Sequence, residues 1–88
     1  MALDYAISYY YKIMMISYQS GVIKIYNFDF TKKYMYELKG HQNDCFTIFV
    51  PENNEHFLYS AAMDSTVRIW NLRDYQEVYS LQLDVLIN

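Results

Sequence analysis

Three residues of this 88-residue chain have the side chains of a hydrolase triad: Ser60, His41 and Asp64. In such a triad a serine attacks the substrate, a histidine accepts its proton, and a carboxylate orients the imidazole. The sequence contains no Gly-x-Ser-x-Gly nucleophile elbow, and nothing in it supplies an oxyanion hole. We therefore favour a structural role for the three side chains and keep a Ser/His/Asp hydrolase as an alternative.

A second set of residues with chemical potential contains the soft metal ligands His41, Cys45 and His56. Their spacing matches no standard zinc pattern, and structural zinc sites almost always take four ligands. We interpret His41 as a hydrogen-bonded core residue, Cys45 as a core thiol and His56 as a surface residue. We expect no metal site and no other cofactor.

A predicted β-hairpin must position Ser60 and Asp64. Residues 57–62 are almost wholly apolar, Asp64-Ser65 has the chemistry of a turn, and residues 66–72 are rich in β-branched side chains. A tight turn there places Ser60 nearly opposite Trp70, where an indole N–H can donate to a hydroxyl. Both runs are apolar on both faces, which predicts packed neighbours on either side of the hairpin.

The sequence also aligns with itself after a shift of 44 positions. Residues 23–28 (IKIYNF) align with residues 67–72 (VRIWNL), and every pair is identical or chemically similar. Residues 13–14 likewise align with residues 57–58. The β-rich runs and the turn residues between them predict four strands in each repeat. The eight predicted strands are residues 2–8, 12–19, 22–28, 33–38, 45–50, 56–63, 66–72 and 77–83.

A repeat length in the low forties, the pair Gly40-His41, the hairpin and the pair Trp70-Asn71 together resemble the WD-repeat blade of a β-propeller. The resemblance implies an all-β fold of two four-stranded antiparallel blades that do not close into a ring within this chain. We expect a degenerate first repeat in residues 1–40 and a second repeat with the fuller motif in residues 41–88.

The resemblance also implies a role for the triad-like residues. In WD repeats, the matching histidine, serine, aspartate and tryptophan form a buried hydrogen-bonded network, and here these positions hold His41, Ser60, Asp64 and Trp70. A buried indole needs such a partner. We therefore expect the four side chains to stabilise the second repeat.

The first repeat departs from this pattern. Tyr26, Ile16 and Ser20 stand at the positions of the tryptophan, serine and aspartate, and no Gly-His pair precedes them. The network is therefore expected to be absent from the first repeat, whose packing should be mainly apolar.

The resemblance implies a non-catalytic scaffold for protein partners. In WD-repeat proteins, partners often dock on the loops before the first strand of a blade and between its second and third strands. Carried over to this sequence, that docking face includes Gln19, Gln42, Asn43, Phe46 and Met63.

Charge and composition exclude other classes of partner. The net charge is −3 and no basic stripe exists, so we expect no nucleic-acid binding. The longest apolar run, residues 5–16, is interrupted by Lys12 and is too short to span a bilayer, so we expect no membrane partner. The single Cys45 suits a reducing compartment, and we find no signal peptide, so we expect a cytoplasmic, intracellular location.

Two blades leave a propeller incomplete, because propellers close with roughly 4 to 8 blades. We therefore expect the chain to be a fragment of a larger propeller, with further blades in the same polypeptide. Alternatively, several copies could complete a ring, such as three copies for a six-bladed one. A small two-sheet β-sandwich that binds partners by itself is another possibility. Because 53% of the residues are hydrophobic, a disordered chain is excluded.

Overall fold

The computed structural model describes residues 1–27 and 36–82, and all regular elements in these residues are β-strands. The side chain of Phe46 and the predicted strand residues 28, 33–35 and 83 lie outside the described part. This part of the chain contains no helix with the length and apolar character needed to cross a membrane.

The eight strands form two four-stranded antiparallel sheets, in which the spatial order of the strands follows the chain. The first sheet contains β1 (Ala2–Ser8), β2 (Ile13–Tyr18), β3 (Ile23–Asn27) and β4 (Tyr36–Leu38). The second sheet contains β5 (Cys45–Phe49), β6 (Phe57–Ala62), β7 (Thr66–Asn71) and β8 (Gln76–Gln82). The predicted fold class, two four-stranded antiparallel sheets that do not close, is confirmed.

The core lies between the two sheets. Side chains of a strand point alternately to its two faces, so every second residue of β2 and β6 is buried. We call the sheet surfaces that meet at this core the near faces and the opposite surfaces the far faces. The buried apolar residues are Ala6, Ile13, Met15, Ile23, Ile25, Leu38, Cys45, Ile48, Leu58, Ala62, Trp70 and Leu72.

A carboxylate of the first sheet binds the first strand of the second. Asp4 on β1 accepts hydrogen bonds from the Ile48 amide at 2.9 Å and from the Thr47 hydroxyl at 3.2 Å. Its other oxygen accepts from the amide of Tyr5 at 2.8 Å. Because one oxygen binds within β1 and the other binds β5, Asp4 fixes the relative position of these two strands.

A second group of contacts joins the sheets at the end where β1 turns into β2. Glu55 accepts hydrogen bonds from the Ser8 hydroxyl at 3.1 Å and from the Tyr10 amide at 2.9 Å. The hydroxyl of Tyr11 and Nδ1 of His56 are 2.7 Å apart. These contacts join the β1–β2 turn to the β5–β6 loop, so both ends of the interface between the sheets carry polar contacts.

The β2–β3 turn packs directly against the connection between the sheets. Gly21 has φ +90°, and a Cβ at this position would lie 2.6 Å from the carbonyl oxygens of both His41 and Asn43. Only glycine adopts this backbone conformation readily and leaves room for the two carbonyls. Gly21 therefore allows the first sheet to support the segment that carries His41.

We predict that Gly21→Ala destabilises the protein by about 2 kcal/mol or more, because it combines an unfavourable φ with a clash against fixed backbone. Urea unfolding followed by tryptophan fluorescence measures this change. The control is Ser20→Ala in the same exposed turn, which should change the free energy of unfolding by less than about 0.5 kcal/mol. Equal stability of the two variants would contradict the close packing of this turn.

Candidate functional site

The second sheet and the connection that precedes it bring the triad-like residues together. His41 lies in the β4–β5 connection, Ser60 on β6, and Asp64 in the β6–β7 turn. Nε2 of His41 is 2.7 Å from the Ser60 oxygen, and the Trp70 indole N–H donates to that same oxygen at 2.9 Å. The Ser60 hydroxyl thus lies between an imidazole and an indole on the near face of the sheet.

The other nitrogen of His41 faces the carboxylate of Asp64. Nδ1 is 3.2 Å from one oxygen of Asp64 and 3.0 Å from the Thr66 hydroxyl. Asp64 also accepts from the backbone amides of Gln42 at 2.9 Å and Thr66 at 3.0 Å, and from the Thr66 hydroxyl at 2.5 Å. Asp64 therefore binds the connection before β5 to the start of β7.

These contacts determine the direction of the hydrogen bonds. A carboxylate only accepts, so Nδ1 of neutral His41 carries the proton and Nε2 is the acceptor. The Ser60 hydroxyl then accepts from Trp70 and donates to Nε2. Every polar side-chain atom along the path from Trp70 through Ser60 and His41 to Asp64 has a partner, as buried polar groups require.

Burial and hydrogen bonding set the charges of the two ionisable groups. Burial lowers the pKa of His41, although the hydrogen bond to Asp64 opposes this effect. For Asp64, burial raises the pKa, but hydrogen bonds from Thr66, Gln42 and His41 outweigh it and lower the pKa to about 2. Asp64 is therefore ionised at neutral pH beside an imidazole whose charged form is disfavoured.

The strand register differs from the predicted one. Ser60 pairs with Arg68, and Trp70 pairs with Leu58. Ser60 and Trp70 are therefore diagonal neighbours on the same face, and the length of the indole lets its N–H reach the hydroxyl. A turn of Asp64-Ser65 alone would pair Ser60 with Ile69, but the turn also includes Met63, which shifts the register by one residue and places Arg68 opposite Ser60.

Thr66 was not among the predicted site residues. Its hydroxyl contacts both His41 and Asp64, and its amide donates to Asp64. The spacing could have indicated this residue, because an aspartate in a turn commonly accepts from the amide two positions later. Ser65 between them adopts a positive φ of 66°, which directs the chain back toward Asp64.

The geometry around Ser60 is unlike that of a nucleophile. Ser60 is only 2% exposed, and its oxygen already accepts from the Trp70 indole. A nucleophile needs an approach path for the substrate and donors beside the attacked carbonyl. The Ser60 hydroxyl faces the core, where neither is provided.

The three soft ligands have separate partners. His41 contacts Ser60 and Asp64, His56 contacts Tyr11, and Cys45 is fully buried. Burial raises the pKa of the Cys45 thiol to about 12, so the thiolate that binds metals is strongly disfavoured. Among residues 1–27 and 36–82, no group of three or more His, Cys, Asp or Glu side chains is arranged to hold a metal ion.

The predicted docking residues with described side chains lie at one end of the two sheets. Gln19 is in the β2–β3 turn, Gln42 and Asn43 precede β5, and Met63 follows β6, and all four are exposed. The contact of Gly21 with the backbone of residues 41 and 43 makes this surface continuous across the sheets. We call these four residues the loop surface. The side chain of the fifth predicted residue, Phe46, lies outside the described part.

The fold matches solved WD-repeat propellers. No protein-family model matches the sequence, and no curated protein matches it. Among solved structures, the chain is similar to the RRP9 WD40 repeats, with TM-score 0.84 and 25% identity, over 97% of this chain and 25% of that one. It is similar to U3-55K, with TM-score 0.82 and 26% identity, over 93% of this chain and 24% of that one. The chain folds as two blades of a WD-repeat β-propeller.

A third match extends this likeness to a more distant sequence. The β-propeller domain of Myceliophteria thermophila Cps50 (Swd1) matches with TM-score 0.83 and 15% identity, over 97% of this chain and 25% of that one. The chain thus spans about a quarter of the length of each of these structures. The blade boundary between residues 40 and 41 stays a prediction, since His41 lies in the connection between the sheets.

We predict that Ser60→Ala destabilises the protein by about 1–3 kcal/mol, because it leaves a buried indole N–H without an acceptor. In the Trp70→Phe background the same change should cost less, with a coupling energy of about 1 kcal/mol or more. Urea unfolding followed by circular dichroism measures all four corners of this cycle. The control is Tyr5→Phe, an exposed change in the first blade, whose effect on the free energy of unfolding should add to that of Ser60→Ala. If the effects of Ser60→Ala and Trp70→Phe were also additive, the hydrogen bond between these residues would be contradicted.

The lowered pKa of His41 predicts a pH dependence of stability. Between its folded-state pKa and the ordinary value of 6.5, the unfolded chain binds more protons, so acid favours unfolding. The free energy of unfolding should therefore decrease as the pH falls below 6.5, by at most about 1.4 kcal/mol per pH unit. Asp64 should add a second loss as the pH falls from 3.8 toward 2. Urea unfolding between pH 7 and 5 measures the loss of stability attributed to His41, and this loss should be smaller in His41→Gln. If the free energy of unfolding changed with pH equally in both proteins, the role of His41 would be contradicted.

Proposed function

We propose that this chain is part of a larger WD-repeat propeller and acts as a non-catalytic scaffold for protein partners. The observation that supports this proposal best is the position of Ser60, buried between the Trp70 indole and His41. The side chains that could have done chemistry are hydrogen-bonded to one another inside the blade. The exposed loop surface is then the candidate for recognition.

The 44-residue repeat supports further blades on both sides. The near face of the first blade includes Ile13, Met15, Ile23 and Ile25. A shift of 44 residues takes these positions to Phe57, Tyr59, Val67 and Ile69, which lie on the far face of the second blade and are half-buried. The far face of the second blade therefore corresponds to a face that already packs against a neighbouring blade.

The same shift relates the outer surface of the first blade to the packed surface of the second. Leu58, Ser60 and Trp70 on the near face of the second blade correspond to Met14, Ile16 and Tyr26 on the far face of the first. The far face of each blade thus carries residues that correspond to those at the interface between the two blades. Since each matched structure is about four times as long as this chain, further blades in the same polypeptide explain this better than a ring of copies.

The loop surface supports recognition of a protein. Gln19, Gln42 and Asn43 provide amide donors and acceptors, and Met63 adds a flexible apolar contact. These groups suit the backbone and side chains of a polypeptide. We propose no nucleic-acid, membrane or cofactor partner, and the cytoplasmic location inferred from the sequence stays a prediction.

A photo-crosslinking amino acid at position 63 of the full-length protein tests this role. We expect crosslinks from Met63 to discrete proteins in cells, with a lower yield from position 53, because Asn53 is exposed at the opposite end of the blade. Mass spectrometry identifies the crosslinked species. Equal yields at the two positions, or crosslinks to nucleic acid or lipid alone, would contradict the proposal.

A serine-reactive fluorophosphonate probe tests the hydrolase alternative in the same preparation. A scaffold should leave Ser60 of the folded protein unlabelled, because its hydroxyl faces the core. Labelling that disappears in Ser60→Ala and requires His41 would instead support catalysis.

A further inference from the structure

A crevice opens at the end of the two blades that lies opposite the loop surface. It has a volume of about 250 Å³ and lies between the β1–β2 turn of the first blade and the β5–β6 loop of the second. Tyr10 lines it from the first blade, and residues 52–56 line it from the second. We call it the seam crevice. A further blade would pack against a far face and not against these strand ends, so the seam crevice stays open in a larger propeller.

The aromatic wall of the seam crevice is fixed in position and still exposed. The ring of Tyr10 meets the rings of Tyr11 and His56 nearly edge to face, with centroids 4.9 Å and 5.2 Å away. His56 is held in turn by the hydroxyl of Tyr11, 2.7 Å from its Nδ1. Tyr10 is nevertheless 67% exposed. A ring held in this way loses little conformational freedom on binding, and its face attracts a cation.

Two carboxylates lie beside this ring. Glu55 accepts hydrogen bonds from the Tyr10 amide and the Ser8 hydroxyl, which lower its pKa and keep it ionised at neutral pH. Glu52 is exposed and also lines the seam crevice. None of the described residues that line it is a lysine or an arginine, and Lys12, in the same turn as Tyr10, does not take part in the lining. The seam crevice therefore combines an aromatic face with negative charge.

We infer that the seam crevice binds the side chain of an arginine in a flexible segment of a partner protein. A planar guanidinium can stack on the ring of Tyr10 while its N–H groups donate to the carboxylates of Glu52 and Glu55. The exposed amide of Asn53 lies at the same crevice and can pair with the backbone beside the arginine.

Size and charge favour one arginine over other occupants. Pockets for drug-sized ligands measure roughly 300–1,000 Å³, so a volume of about 250 Å³ suits a single side chain. The ammonium of a lysine is compact and strongly hydrated, and it lacks the plane that stacks on a ring. Carboxylates repel phosphate groups, which argues against nucleic acid.

The seam crevice and the loop surface lie at opposite ends of the blades, so binding at one does not require binding at the other. A contact through one exposed charged side chain is weak. A photo-crosslinking residue at position 53 also replaces part of the crevice lining. A lower crosslinking yield at this position than at Met63 is therefore still expected.

A short peptide with one arginine tests this site in the full-length protein. The probe is trifluoroacetyl-Gly-Ser-Arg-Ser-Gly-amide, and fluorine NMR relaxation of the peptide measures its binding. We expect saturable binding with a Kd of about 1 mM or below. Replacing the arginine with citrulline, which has the same shape but no charge, should raise the Kd by about tenfold or more. A lysine peptide should also bind more weakly than the arginine peptide.

Variants of the protein locate the binding site. Glu52→Gln and Tyr10→Leu should each raise the Kd of the arginine peptide by about threefold or more, because they remove a carboxylate and the aromatic face. Tyr10→Phe keeps the ring and should bind like the unmodified protein. Asp74→Asn removes an exposed carboxylate from the β7–β8 turn at the same end of the blade but outside the crevice, and should leave the Kd unchanged.

Five outcomes would overturn the inference. Binding that does not saturate up to about 1 mM peptide would exclude a specific site. Equal affinities of the citrulline or lysine peptide would exclude recognition of a guanidinium. Equal effects of Asp74→Asn and Glu52→Gln would indicate general attraction of charge. Equal effects of Tyr10→Phe and Tyr10→Leu would exclude stacking. Equal affinity of N-acetylarginine methylamide would indicate a small-molecule ligand and not a polypeptide.

Discussion

The hydrogen bond from the Trp70 indole to the Ser60 hydroxyl is the contact on which the second blade depends. It joins β7 to β6 between diagonal neighbours, and the Ser60 hydroxyl also hydrogen-bonds to His41 in the connection that precedes the blade. Asp64, in the β6–β7 turn, accepts hydrogen bonds from His41 and from the Thr66 amide. One polar path thus fixes two strands, a turn and a connection. Trp70, Ser60 and His41 are buried, and there an unpaired polar group costs much more than in water.

The same constraint explains why the residue types of a triad do not make a catalytic geometry here. Catalysis requires a hydroxyl that faces substrate, and the Ser60 hydroxyl faces the core between an indole and an imidazole. Burial also lowers the pKa of His41, which favours the neutral form that accepts from Ser60. Residue type sets what a side chain can do, and its surroundings determine which of these possibilities it has.

The two blades hold similar backbones together by different means. In the first blade, Tyr26 stands where the second has Trp70, and its hydroxyl lies 3.1 Å from that of Tyr18. That hydrogen bond, with some burial, raises the pKa of Tyr18 to about 12. The expected absence of the four-residue network from the first blade follows from Ile16, which has no hydroxyl. The expectation of mainly apolar packing holds for its near face, with Ile13, Met15, Ile23 and Ile25, but its far face also carries this tyrosine pair.

The sequence alone determined the strands and the repeat, because these follow from local patterns: runs rich in β-branched and aromatic residues, turn residues and a 44-residue period. The arrangement in two antiparallel blades was implied by the resemblance of these patterns to WD repeats. The all-β prediction was confirmed, and within residues 1–27 and 36–82 the strand ends coincide with the predicted ones or differ by one residue. The tertiary structure alone decided the register that pairs Ser60 with Arg68, the participation of Thr66, and the contact of His56 with Tyr11. These features depend on how separate segments of the chain meet in the fold, and no local pattern of residues specifies those contacts.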